Sequence, residues 1–599
     1  MFDNVDKQWY LLGVTSSLPG CGQNSFECTL SAYTLINNLA IEEFKNQHTL
    51  VLNSASNSIH NRGVYSGSTR VDETIKNTNF DTRLKAMEND KDYVFTRNGS
   101  LMVKEDADLG SSVLYISEGL KFSVVGDYYL THGRLAIGEG AQVFYGAKTK
   151  AEDALVKMGE GTLIITSSSP TGKLRVGQGV VELKSEGLAF GSLYAINGAT
   201  IILNNANQVN TDYLYFGTNG ANLDLNGQSL SFNNEIKALD FGANIYNDSQ
   251  TKSTITLNGG GNGIYHGQIN GNVDLKIQRD YVFDGAMNIK NLNIQGNVVF
   301  QAHPLVHNYV PSDSTYWAMG SRLDPVMAVD ILKNESFQTA PTTENELQSR
   351  EFVFENITLK DATLSQSAYT KITATSISAD NSVIAIGSGK IYLDEFDGEN
   401  VRSTPCSSEN TSVECKKYDA YDLEFQYNSN LTQKDIANQE IYLFGDIDLK
   451  NNSSVAFNQA FYRGNIKGDS TSSASFSNAV VKGSVSVNKL SASGSHFLLE
   501  VSNDSNKLIE ATQKAEGGRN YLYVFPKEQI TKKILLISLK DSQNVGSKMF
   551  MPKSYSSNFS VFKPAIEYKK VNGMDNWYLS NLTISENTQT TDQANKAIG

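Results

Sequence analysis

With 599 residues, 19% of them charged, and a formal net charge of −13, the chain is too apolar for a disordered polypeptide and too acidic to neutralise nucleic-acid phosphates. It contains no run of about 18 apolar residues, so no helical membrane span is expected; the best candidate, Ile534 to Leu539, is far shorter. Gly, Ser, Thr and Asn dominate the polar positions, a composition suited to a turn-rich β protein.

The sequence opens on Met1-Phe2-Asp3-Asn4, which lacks the basic start and apolar stretch of a signal peptide, so the chain reads as cytoplasmic or as cut from something longer. The cysteines favour the second reading. Cys21 and Cys28 are seven apart, Cys406 and Cys415 nine apart, and there are no others. Two close pairs suggest two local disulfides formed in an oxidising compartment, four unpaired thiols being the alternative. With no CxxC and seven scattered histidines, zinc is not expected, nor is any other metal or cofactor.

In chain order, DKQWYLLGV (Asp6 to Val14) reads as a strand, followed by a Pro19-Gly20 turn and the first cysteine pair. Ser31 to Lys45 is predicted helical, with Leu35, Ile36, Leu39 and Ala40 at helical spacing and Ser31 as cap. From Tyr93 a ladder of short strands begins, clearest in LVKMGEGTLIIT, GKLRVGQGVVEL and AINGATIIL between Leu155 and Leu203. Leu174 and Val176 flank Arg175, and Val181 and Leu183 flank Glu182, the period of two of a strand with one face on a core. Gly159, Gly161, Gly177, Gly179 and Gly198 mark the turns. The pattern recurs at a period of ~20–25 residues and predicts a parallel β-solenoid of roughly 17–20 coils. The apolar face of the helix from Ser31 would seal the end of this solenoid. Asparagines at the turns are placed to stack as amide ladders.

Two excursions interrupt the ladder, at 303–350, with a helix signal after Asp324 and Pro325, and at 402–417, around the second cysteine pair. From Ser502 the strands grow more apolar (NYLYVF, KKILLISL) and end on NGMDNWYLSNLTI, a candidate cap for the open solenoid end. After Ser585 the polar tail reads as a tether.

No catalytic constellation is visible. Gly468-Asp469-Ser470-Thr471 superficially resembles a protease nucleophile motif but lies in a Gly/Ser-rich rung and reads as a turn. Asp446/Asp448 and Asp394/Glu395/Asp397 are the nearest match to the calcium sites of polysaccharide lyases, and solvated turn charges explain them better. No catalytic, cofactor-binding or metal residue is assigned; the site residues expected are the disulfide cysteines Cys21, Cys28, Cys406 and Cys415.

DALVKMGEGTLIIT with GKLRVGQGVVEL, YLYFGTNGANLDLNGQSLSF, GNGIYHGQINGNVDLKI, YWAMGSRLDPVMAVDILKN and the closing GMDNWYL together resemble the passenger regions of serine-protease autotransporters, the immunoglobulin A protease and enterobacterial family. The resemblance covers most of the chain. It implies an all-β, right-handed parallel β-helix: a protease-domain remnant (1–29), a connecting segment with the capping helix (30–92), the β-helix (93–501), an autochaperone-like cap (502–584) and a linker (585–599). It would place Met1 just after a Gly-Asp-Ser-Gly-Ser-Pro motif, so all three members of a His-Asp-Ser triad would lie upstream. His48, His60 and Asp72 are accordingly not promoted to catalytic roles. The implied parent is a serine endopeptidase acting on extracellular or host proteins, with this chain as stalk and secretion scaffold. The rival is a non-enzymatic adhesin. A type V secretion route, a monomer at the cell surface or released, and a carboxy-terminal translocator barrel as partner complete the expectation.

Overall fold

Alternate side chains along the strands turn inward, as the sequence pattern requires: in Lys121–Val125, Phe122 and Val124 are buried, and in Gln142–Tyr145, Val143 and Tyr145 are. The computed structural model describes residues 49–72, 91–303, 349–387 and 440–586, apart from positions 152, 218, 239–240, 260–261, 542–545 and 557–559; elsewhere it defines only a few short strand pairings. The chain divides into two units, 1–150 with 155–163, and 151–154 with 164–599.

In the first unit, Thr49–Leu52 pairs parallel with Asp92–Phe95, that strand with Val113–Ile116, and that with Arg134–Ile137. A second row runs Ser56–His60, Gly99–Val103, Lys121–Val125 and Gln142–Tyr145, again parallel. Phe95 and Phe122 meet between the rows at 4.6 Å, with Leu114, Ile116, Leu135 and Ile137 fully enclosed. Among the described residues, parallel pairing therefore already includes Thr49–Leu52, upstream of Tyr93. The early rung escaped the sequence pattern because an antiparallel excursion, Ser56–His60 to Gly63–Ser66 to Thr69–Asp72, follows it directly.

The second unit repeats the motif with longer strands. Val180–Leu183, Thr200–Leu203, Asn222–Asp224, Asn244–Asn247, Gln268–Ile277 and Ala286–Ile294 stack in parallel register, and the stack continues through Arg350–Lys360, Thr370–Asp380 and Ile441–Lys450. Aromatic rings column through its core: Phe283 lies 5.7 Å from Phe300 and Phe300 4.5 Å from Phe352, while Phe457 and Phe476 stack at 5.4 Å with planes 2° apart. Each fully buried side chain of this kind contributes roughly 1.5–3 kcal/mol. The expected amide ladders are present. Asn244 Nδ2 donates to Asn222 Oδ1 at 3.5 Å and Asn270 Nδ2 to Asn244 Oδ1 at 2.9 Å.

Among the described residues the coils number about 16, fewer than expected. At the two excursions the separation between stacked partners widens: Asn291 and Asn356 touch across 65 residues and Asp380 and Asn451 across 71, against 22 for Asn197 and Asn219.

Some expectations are corrected, and others fall outside the described residues. Where the helix from Ser31 was to begin, Ala32–Leu35 is a strand paired antiparallel with Gly13–Ser17. Tyr33 and Thr34 suit a strand, and a partner strand outweighs a weak helical period. The remainder of that helix, the helix after Asp324 and all four cysteines lie outside the described residues. Among the described residues, helix is limited to short 3-10 turns at Ala206–Gln208, Thr211–Tyr213 and Gly546–Lys548.

At the carboxy-terminal end the parallel register runs on into the expected cap, through Ile509–Gly518 and Asn520–Pro526. It then changes sense. Ile534–Lys540 pairs antiparallel with Met574–Glu586, which forms a hairpin with Ser560–Val571.

Candidate functional site

Stacked coils bring together residues that are one coil apart in sequence, so any site on this fold is built from successive rungs. The residues singled out by the sequence do not converge. His60 stacks on Tyr65 at 4.1 Å and its Nδ1 lies 3.1 Å from Ser58 Oγ, a contact within one strand. Asp72 accepts a hydrogen bond from Tyr93 Oη; His48 is outside the described residues. No Ser-His-Asp constellation forms among the described residues.

The Gly468–Thr471 motif is a turn, as its setting indicates. Asp469 Oδ1 accepts from Thr471 N at 2.8 Å and Thr471 Oγ1 at 2.7 Å, and Oδ2 accepts from Asn451 N at 2.8 Å. Those donors hold the Asp469 carboxyl below its ordinary value. Asp446 is used by Asn465, whose N and Nδ2 donate to Oδ1 at 2.8 and 3.1 Å, and Asp448 pairs with Lys450 at 2.9 Å. Asp446 thus joins successive rungs, while Asp448 pairs within its own strand. Asp394 and Asp397 are outside the described residues.

Two features of the second unit were not anticipated. The first is a groove of about 740 Å³ crossing five rungs in register, at Asn247, Gly271, Ile289, Phe354 and Ala374. Asp248, Asn272, Lys290, Glu355 and Thr375 line it, and Lys290 pairs with Glu355. The strands bend here; register slips between Gly271 and Asp274, which opens the wall.

The second is a buried polar cluster. Tyr265, Phe283 and Phe300 are consecutive rungs of one column, so the next residues, His266, Asp284 and Gln301, stack at one corner. His303, two residues on, begins the excursion and pairs with Gln348 at its far end. His266 Nδ1 lies 2.7 Å from Asp284 Oδ1, and His303 Nδ1 3.4 Å from Asp284 Oδ2. The Asp284 side chain is 0% exposed, His266 11% and His303 26%. Burial works against the charge on Asp284, but the two imidazoles outweigh it and hold the carboxyl well below the usual carboxylate range. Arg350, where the excursion rejoins the coils, donates from Nε to the Asp284 carbonyl at 2.6 Å and covers the Phe241 ring at 4.4 Å. Both ends of the excursion thus fasten at Asp284. Aligning rungs would have revealed the pairing, since Tyr265-His266-Gly267 and Phe283-Asp284-Gly285 share one pattern.

Comparison with known proteins agrees with this architecture. The profile of the PIC/HAP1/IgA0 second beta-solenoid repeat region matches residues 267–476. The serine protease Pet autotransporter of Escherichia coli O44:H18 (strain 042) is 31% identical over 434 residues, 67% of this chain and 32% of the relative. The immunoglobulin A1 protease autotransporter of Haemophilus influenzae is 34% identical over 178 residues, 28% of this chain and 12% of the relative. The chain thus spans about a third of the length of Pet. Among solved structures, the passenger domain of the plasmid-encoded toxin of enteroaggregative E. coli aligns with a TM-score of 0.53 at 18% identity, covering 97% of this chain and 76% of that one. The Haemophilus influenzae Hap adhesin gives 0.53 at 15%, covering 96% and 75%. In sequence and in fold, the chain belongs to the passenger regions of the serine-protease autotransporter family.

Proposed function

We propose that the chain is the β-solenoid stalk and folding scaffold of an autotransporter whose full-length form is a serine endopeptidase acting on extracellular or host proteins. One observation carries the reading: parallel rungs stacked in register and finished by an antiparallel hairpin. A solenoid adds stability coil by coil, each coil resting on its neighbour. Folding that starts from the hairpin outside the cell would draw the rest of the chain outward, an autochaperone role for residues 502–584. The compartment is that of its relatives, the bacterial surface or beyond, reached through periplasm and outer membrane. Its own translocator barrel would be the first partner, and extracellular proteins the targets.

The test has two parts. Joined to a secretory signal peptide and the translocator barrel of Pet, the chain should reach the cell surface and become accessible to added protease; retention in the periplasm would refute the scaffold role. Expressed from the full reading frame, the protein should cleave casein or mucin, and alanine at its nucleophilic serine should abolish this. Absence of cleavage would remove the endopeptidase reading and leave the scaffold.

A second reading, adhesion, draws on the groove across five rungs, whose amide and charged lining suits an extended glycan or peptide. Binding of the labelled chain to host cells, lost on Asn272→Ala with Lys290→Ala, would favour it.

A further inference from the structure

We infer that His266, Asp284 and His303 form a binding site for one divalent transition-metal ion of the zinc class. The donor set is two imidazole nitrogens and a carboxylate, the combination that such ions take with a water in the remaining position. Their ligand atoms lie within 4.8 Å of one another. Ligands at ~2.0 Å from a tetrahedral ion stand roughly 3.3 Å apart. The 2.7 and 3.4 Å separations from Asp284 straddle that value, so a small opening of the His266 contact admits the ion.

The surroundings also suit an ion. Asp284 Oδ2 is buried with no hydrogen-bond partner, although a carboxylate in an enclosed setting ordinarily has its oxygens satisfied. It points at His303, the one partly exposed member, on the side from which water could supply the remaining ligand. The ion would replace the proton between His266 Nδ1 and Asp284 Oδ1, and that proton leaves to solvent. The Arg350 guanidinium, the fixed positive charge beside the cluster, is occupied with the Asp284 carbonyl and the Phe241 face.

The placement gives the ion a task. His266 and Asp284 sit on consecutive coils, while His303 is the first residue of the excursion, joined to Gln348 across its base. A bound ion clamps that base to the solenoid, a structural role independent of whether the full protein is a protease.

The experiment uses the whole chain, stripped with chelator and dialysed against Zn2+ alone, then against Co2+ for its optical spectrum. One equivalent of Zn2+ should be retained, Co2+ should give the intense visible bands of tetrahedral coordination, and cleavage within 304–349 by added protease should slow with the ion present. His303→Ala, which removes a partly exposed side chain and leaves the coils intact, should weaken retention at least tenfold, and His266→Gln likewise. Failure to retain an equivalent of Zn2+ would overturn the proposal. So would retention undiminished in both variants, because the ion would then sit elsewhere.

Discussion

The indole of Trp577 meets the ring of Phe550 edge-on, with centroids 5.5 Å apart and planes 80° from one another. Phe550 lies 5.4 Å from Phe497, a member of the aromatic column of the coils, and Tyr568 covers Trp577 from the hairpin at 5.2 Å. Trp577, only 1% exposed, is therefore the ring on which the core column ends and the antiparallel hairpin begins. Without it the last coil would present an apolar cross-section to water.

Replacing Trp577 by Ala should cost about 3–5 kcal/mol, the usual range for a large buried aromatic. In a solenoid each coil leans on its neighbours alone, so the loss should be local. Limited proteolysis with mass spectrometry should find new cuts within 509–586 while 180–300 stays protected. Uniform protection across the variant would show that the hairpin does not hold the end.

Gly445, Gly464 and Gly483 occupy one corner of three successive coils with φ of 143°, 152° and 143°. A Cβ on Gly464 would lie 2.0 Å from the Gly445 carbonyl oxygen, and one on Gly483 1.8 Å from that of Gly464. Gly464→Ala combines a disfavoured backbone conformation with a clash against main chain, together roughly 2–5 kcal/mol. Gly119→Ala, at φ 69° with nothing within 4 Å of the added carbon, carries only the conformational part. Guanidinium denaturation should rank the two clearly, and equal losses would contradict the crowding described.

A polar ladder on the outside should behave differently. Asn291 Nδ2 donates to Asp274 Oδ1 at 2.6 Å and its Oδ1 accepts from Asn356 at 2.9 Å. Asp274 also pairs with Lys252 at 2.9 Å. Asn291→Ala should cost on the order of 1 kcal/mol per bond lost. Asn291→Asp, isosteric but placing one carboxylate against another, should cost more, and the excess should shrink as added salt screens the pair. A salt-independent difference would point to geometry in place of charge.

The sequence carried the coil architecture because burial alternates along many rungs, so Val181 and Leu183 declare their face locally, whereas Arg175, between Leu174 and Val176, is itself buried against the expected alternation. It carried the end of the solenoid through the Trp-Tyr pair of GMDNWYL. What it concealed depends on register between rungs. His266 and Asp284 are neighbours only because Tyr265 pairs with Phe283, and His303 joins them only because an excursion starts there. The strand at Ala32–Leu35 was missed for a related reason: its partner, Gly13–Ser17, lies well upstream in the sequence and no local period reports it. Scattered histidines say little until the coils are aligned.

Lys157 is the buried cation that most invites a pH experiment. It sits on Ala154–Met158 opposite Leu135, is 0% exposed, and donates from Nζ to the Gly159 carbonyl. Burial pushes its pKa down to about 8, partly opposed by the charge of Glu160. In the unfolded chain the amine returns to the ordinary value near 10.4. Between those two values the unfolded state holds the extra proton, so stability should rise with pH across that window; below about 8 both states are charged and the cost of burying the charge is felt in full. Lys157→Met keeps the length and removes the charge, and should stabilise the protein by on the order of 1–3 kcal/mol at neutral pH. Denaturant titrations of both proteins from about pH 7 to about pH 10 should show the gap closing as the wild-type amine loses its proton in the folded state. A gap that stays constant over that range would mean that the ammonium is solvated and that the strand face around it opens to water.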